Sequence, residues 1–363
     1  MRLFRWLFTL LFSLRLLFTV AGADGSWYTL CDDSFPEDLG YLVSEFSGDI
    51  TVTFLGDCTL GGEEKSVHSS LGFFRRIEEN GTAFPFRYLK ELTLHDDLTV
   101  ANLEGVLTDR DLPKVEKEYN FRGPSIYTEI LSKGGVDCVT LANNHSHDYG
   151  DTGYADTKAA LKLADICWFG TDSPAVWTNE EGILVGFVGI SWSLSGSRYD
   201  SMKQQMEQLR DLGCAAIIAV MHAGTEYSGY PDDNQKTIAR RAVSCGADLV
   251  VGHHPHVVQG YEILDGVPVL YSLGNCSFGG TTHAKDSDAI AVQACFSFQE
   301  AELTGLRLRF CPISITSDER YNNYSPIFLN GSDAERVLRK MRDSTAVDPG
   351  TWNGEAAEVF LAK

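Results

Sequence analysis

Basic residues are scarce in this 363-residue chain: 30 Lys and Arg stand against 50 Asp and Glu, for a formal charge of −20. Nucleic-acid binders hold phosphates with clustered cations, so a nucleic-acid partner is excluded as a class. Internal repeats and low-complexity tracts are absent, which excludes solenoids and disordered scaffolds. Nine cysteines are present, but none form a CxxC pair, so the spacing indicates neither a zinc ribbon nor a disulfide framework. Cys138, Cys167, Cys214, Cys295 and Cys311 sit in or beside apolar runs and read as small core residues. Beyond residue 23 no apolar run approaches the ~20 residues of a spanning helix.

The first 23 residues differ from the rest. Arg2 and Arg5 precede an apolar run from Trp6 to Val20, broken by Arg15, and Ala21-Gly22-Ala23 ends it. This is the pattern of an export segment, either a cleaved signal or a retained N-terminal anchor. It places the protein outside the cell or on its surface. Removing the segment's three arginines takes the formal charge from −20 to −23. An anionic body suits solubility, or a partner that brings cations.

A hydrophobic content of 44% supports a sizeable core. Residues 24–47 read as a lead-in, 48–316 as the main domain and 317–363 as a C-terminal extension. Alternating or continuous apolar runs predict strands over 49–55, 98–103, 138–142, 183–190, 215–221, 247–251 and 267–273, with two more between 290 and 315 and a turn near Leu303 to Gly305. Helices are predicted over 73–79, 86–94, 126–133, 151–164, 200–212, 234–245 and 332–342, the last with Ser332 as N-cap and Glu335 as its capping-box partner. Residues 112–123 form a charged loop able to overhang a site. Strands alternating with helices indicate an α/β domain with largely parallel pairing.

Five of these strands end in polar clusters, and α/β sheets build their sites beyond the carboxyl ends of strands. The richest cluster is Gly252-His253-His254-Pro255-His256, where Pro255 stiffens the turn between two imidazoles. The others contribute Asp57, Glu104, Asn144 and His222. Six oxygen and nitrogen donors without thiolate suit first-row ions such as Mn, Fe or Zn. They exceed the needs of one tetrahedral zinc and fit two ions sharing a carboxylate. His145 is placed to act as general acid or anion contact. Asp148 and Glu226 read either as orienting acids or as turn residues. His253 reads as outer support or solvated, and Asn275 as lining the site. Cys58 and Cys276, with no basic neighbour, read as inert thiols.

Six ordered motifs carry a family resemblance. They are Gly56-Asp57-x-x-Leu60-Gly61, Asn102-Leu103-Glu104-Gly105, Leu141 to Gly150 with Asn143-Asn144-His145 and Asp148, His222-x-Gly224-x-Glu226-Tyr227, Gly246 to Gln259, and Tyr271 to Asn275. From about Asp49 to Ile315 the chain resembles the CapA family, capsule-synthesis proteins linked to poly-γ-glutamate and related to calcineurin-like metallophosphoesterases. The resemblance implies a four-layer α/β/β/α sandwich with a metal site at one edge of its two sheets. It matches Asp57, Glu104, Asn144, His222, His254 and His256 to metal positions, His145 to the histidine after the metal-binding asparagine, and Asn102 to an outer position. The chain departs from the phosphoesterase pattern in three places. Asp-x-His is Asp57-Cys58-Thr59, so one metal position lacks its histidine. The Gly-Asp of the second motif is Asn102-Leu103-Glu104. Cys276 replaces an aromatic after Gly274-Asn275.

Three functions follow as expectations. The first is a surface metallohydrolase-like protein acting in poly-γ-glutamate synthesis, export or anchoring, with capsule-synthesis membrane proteins as partners. The second is a metal-dependent phosphoesterase unrelated to the polymer. The third is a non-catalytic module that holds an anionic polymer through metal.

Overall fold

The computed structural model describes residues 25–30, 45–192 and 195–362. The export segment and most of the lead-in lie outside these residues. Among the described residues no helix is long and apolar enough to cross a membrane.

The strand Gly48–Thr59 shows how sequence sets the architecture. Its residues alternate between two faces, as the period of two requires. Ile50, Val52 and Phe54 enter one core cluster, and Leu55 enters another. The same division recurs in Ala216–His222, where Ile218 and Val220 share the first cluster while Ile217 and Ala219 join a third. The first cluster therefore lies between two sheets. The second sheet's outer face packs on Met202, Met206, Leu209, Ile238 and Ala242, on the helices Ser197–Asp211 and Asp233–Ser244. The outer face of the sheet containing Gly48–Thr59 packs on Phe73, Ile77, Leu131 and Leu161, from the helices Phe73–Asn80, Thr128–Gly134 and Gly150–Leu163.

Among the described residues, one sheet has seven strands in the order Ser26–Thr29, Ala175–Thr178, Leu184–Ser191, Ala216–His222, Leu249–His253, Val267–Leu270, Tyr261–Leu264. The other has nine, with Gly48–Thr59, Leu98–Leu103, Cys138–Thr140 and Cys167–Phe169 running side by side and parallel. The fold is mixed α/β. In the seven-stranded sheet pairing is parallel at the centre and antiparallel at the flanks. In the nine-stranded sheet it is parallel from Gly48–Thr59 out to the edge strand Cys167–Phe169 and antiparallel on the other side, where Asp288–Gln299 joins both Gly48–Thr59 and Glu302–Ser314. The expectation of largely parallel pairing holds for the strands that carry the polar clusters. Tight hairpins and short edge strands make the rest antiparallel.

Local differences from the sequence reading have identifiable causes. The hairpin turns at Glu300-Ala301, both at positive φ, while Gly305 pairs with Ser297 inside the ladder. The glycine there marks strand, not turn. Only Lys90–Thr93 is helical within the stretch 86–94. The strand after Gly266 stops at Leu270. The last helix spans Gly331–Thr345 with Asn330 at its N-cap and no side-chain cap bond, so Ser332 lies inside the first turn and forms no capping box. The capping box instead belongs to Asp232 and Gln235, at the start of Asp233–Ser244. The last helix sends Val337, Leu338 and Met341 into the inter-sheet core, and Ala357–Ala362 adds a strand against Glu302–Ser314.

Candidate metal centre

The polar clusters meet because their strands are neighbours in register. Asp57 pairs with Asn102 across one sheet and with Asn275 on its other side. In the other sheet His222 pairs with His253. Close backbone approach needs Gly252: a Cβ there would sit 2.1 Å from the Tyr271 carbonyl oxygen. Beyond Gly252 the chain turns sharply, and His254 and His256 adopt positive φ of 99° and 58°. Pro255 between them fixes the turn, as its ring predicts.

Asp57 is the hub. Its Oδ1 accepts from Asn102 Nδ2 at 2.8 Å and lies 3.1 Å from His253 Nδ1; its Oδ2 accepts from the His254 amide at 3.2 Å and lies 3.3 Å from His256 Nδ1. Burial opposes its charge, but these histidines hold its carboxyl well below the usual range. His253, read as outer support or solvated, is buried and supports Asp57. Asn102 Nδ2 also lies 3.1 Å from His222 Nδ1, and Asn143 Nδ2 donates to Asn102 Oδ1 at 2.9 Å. These contacts seat the His222 ring with its Nε2 turned to the cluster.

Around that Nε2 the remaining donors gather. Asn144 Oδ1 lies at 2.7 Å, His254 Nδ1 at 3.1 Å and Glu104 Oε1 at 3.6 Å. Ligand atoms of Glu104, His254 and His256 lie within 4.8 Å of one another. His256 Nδ1 is steadied by Asn275 Oδ1 at 2.9 Å. Burial lowers the His222 pKa well below the ordinary value and takes His254 down to about 4, which leaves both neutral and able to ligate. At His256 burial is outweighed by Glu104, Asp57 and Asn275, and its pKa rises to about 9.

Glu104 decides how well this cluster fits a cation. It is fully buried, and among the described residues neither carboxylate oxygen has a hydrogen-bond partner. Burial, with Asp57, Asp148 and Glu226 nearby and only His256 opposing, pushes its pKa up to about 8. A buried carboxylate without donors is costly unless a cation answers it. Neutral imidazoles, an amide oxygen and an orphaned carboxylate form a donor set suited to first-row ions.

His145 lies at the border. Its Nδ1 is 2.8 Å from Asp148 Oδ2, which also accepts the Phe121 amide at 2.6 Å, and its Nε2 faces Glu104 Oε1 at 3.7 Å. Sequence reading missed Lys117. It donates to the Asn144 carbonyl at 2.9 Å, lies 3.1 Å from His145 Nδ1 and pairs with Asp148. The charged loop 112–123 was the signal for it, and that loop does overhang the site. Phe121 from the same loop packs on His145 with ring centroids 4.4 Å apart. Glu226, by contrast, stands exposed beyond the cluster. Cys58 and Cys276 are buried behind it, and burial raises the Cys276 thiol well above its usual range.

The geometry can be set beside known proteins. The sequence profile of the bacterial capsule synthesis protein PGA_cap matches residues 51–279. The chain belongs to this family. Among its CapA relatives, the capsule biosynthesis protein CapA of Bacillus anthracis is 29% identical over 265 residues, covering 66% of this chain and 62% of its own length. The PGA biosynthesis protein CapA of Bacillus subtilis is 27% identical over 268 residues, 68% of each chain. The chain thus spans less than two thirds of the B. anthracis relative. A crystal structure of TT1561 of Thermus thermophilus overlaps 68% of this chain and 94% of its own at 11% identity, with a TM-score of 0.39. The profile match ends at Gly279 and contains every residue placed in the cluster above.

Proposed function

We propose that this CapA-family chain is an exported, metal-dependent protein acting in poly-γ-glutamate capsule synthesis, export or anchoring, on a four-layer α/β/β/α sandwich of the metallophosphoesterase type. The capsule biosynthesis protein of Bacillus anthracis and the PGA biosynthesis protein of Bacillus subtilis, its relatives, support the capsule role. The buried, unpartnered Glu104 carboxylate supports the metal dependence. Glu104, Asn144, His222, His254, His256 and Asp57 would hold two divalent first-row ions. Bound there, such ions polarise an oxygen of an anionic substrate and make water nucleophilic near neutral pH. The chain's own residues do the rest. Asp57 holds three histidines in place, Asn102 seats the His222 ring, and Asp148 with Lys117 orients His145 so that its Nε2 faces the cluster.

The His145–Asp148 pair favours a second reading, a phosphoesterase in which His145 protonates the leaving oxygen. Elemental analysis tests the shared premise. About two ions per chain, lost in His254→Ala/His256→Ala, supports it. No metal after reconstitution with manganese, zinc or iron rejects it. Turnover of a phosphodiester with manganese, lost in His145→Ala, would favour the second reading.

A further inference from the structure

Among the described residues, ten other than glycine are at positive φ, and four of them surround the cluster: His254, His256, Trp192 and Tyr227. Left-handed backbone strains an ordinary side chain and survives where surrounding contacts impose it. For Trp192 those contacts are its amide on the His222 carbonyl at 2.9 Å and its carbonyl under Asn234 Nδ2 at 2.6 Å. For Tyr227 the contact is its amide on the Pro255 carbonyl at 2.8 Å. The strain turns both rings outward over the histidines. Trp192 is half exposed and meets His254 edge-on at 5.0 Å; Tyr227 is nearly as exposed and lies 6.1 Å from His256.

A third exposed ring completes the rim from the overhanging loop. Tyr119 stacks on Phe121 at 6.5 Å, and Phe121 covers His145. Exposed aromatics gathered at one opening mark a binding surface.

The charges decide what it binds. Glu118 adjoins Tyr119 and Glu226 adjoins Tyr227, while Glu63 is paired with Lys65. Lys117 and Lys114 are paired with Asp148 and Glu64, which leaves Lys285, 3.9 Å over the Tyr227 ring. Carboxylates therefore outnumber free cations among the described residues of the rim, and a polyanion gains little from it. A small organic cation needs several rings around one centre, whereas these are spread across an opening. A sugar ring offers C–H faces to aromatic rings and hydroxyl donors to carboxylates. We infer that the Trp192, Tyr119 and Tyr227 rim binds a neutral sugar chain laid across the mouth of the cluster. This goes beyond the capsule reading and stands without a metal.

Tryptophan emission of the full chain, titrated with the hexamers of N-acetylglucosamine and of glucose, tests it. A saturable shift with at least one hexamer is expected. Trp192→Asn should abolish the shift, and Tyr227→Asn should weaken binding at least tenfold; asparagine tolerates left-handed backbone. Binding to Trp192→Asn is read by calorimetry, where at least a tenfold loss is expected. Elemental analysis should find metal content unchanged in both variants, which separates failure of the rim from failure of the metal reading. No shift with either hexamer overturns the inference. So does undiminished sugar binding in either variant, or saturation by poly-γ-glutamate or tetramethylammonium where the sugars give none.

Discussion

Glu104 and Lys117 show opposite solutions to a buried charge. Glu104 has no donor among the described residues, so its carboxylate destabilises the metal-free protein. Glu104→Gln should stabilise that form by about 1–3 kcal/mol, the scale of an unmet buried polar group. Calorimetry should find that added manganese then gives no further gain. Lys117 answers Asp148 within a bonded network. Lys117→Met should cost about 2–4 kcal/mol, because it strips a buried carboxylate of its cation. Lys117→Met/Asp148→Asn should recover part of that loss in a double-mutant cycle. Additive losses in denaturant titrations would contradict the coupling.

At the scale of elements, the site depends on how closely strands approach. Gly252 leaves no room for a Cβ against backbone, which cannot swing away as a flexible side chain can. Gly252→Ala should cost about 1–3 kcal/mol or more, a core-overpacking magnitude, and should lower metal content because His253, His254 and His256 follow it directly. The last helix is tied down by Arg336 and Lys340, both on Asp288. Burial opposes the Asp288 charge, but these two cations outweigh it and hold its pKa below the ordinary value. A depressed carboxyl stabilises the fold above the unfolded pKa of about 4, and that contribution fades as pH falls through the folded value. Asp288→Asn should therefore lower Tm at pH 7, and its difference from the native chain should shrink as pH falls below about 4. A constant difference down to pH 2 would rule out the linkage.

The whole molecule brings two sheets together, and the cluster forms where strand ends from both meet. Asp57 lies in, and Glu104 and Asn144 follow, strands of one sheet, while His222, His254 and His256 come from the other. A cation bound there binds only the assembled protein. At a hundredfold excess over Kd, manganese should add about 2.7 kcal/mol of stability, seen as a rise in Tm that a chelator reverses. An unchanged Tm across that titration would mean that the two sheets are not bridged by metal.

The sequence by itself determined much of this. Alternating or continuous apolar runs marked the parallel strands, and the polar residues singled out at their ends are neighbours in the fold, because chemistry and hydrophobic pattern are both local. Pro255 between two histidines announced a stiff turn for the same reason. Edge strands such as Ser26–Thr29 and Tyr261–Leu264 were not legible. They are short, and their pairing partners lie far away or follow an unremarkable turn. Tertiary structure alone decided that both Asp57 oxygens are occupied, that His253 is buried, that Lys117 reaches Asp148 and that Glu104 has no donor among the described residues. Those facts depend on groups brought together from distant strands and loops, and a linear chain does not encode such distances residue by residue. The left-handed Trp192 and Tyr227 belong to the same class, since backbone bonds from neighbouring segments impose their conformations.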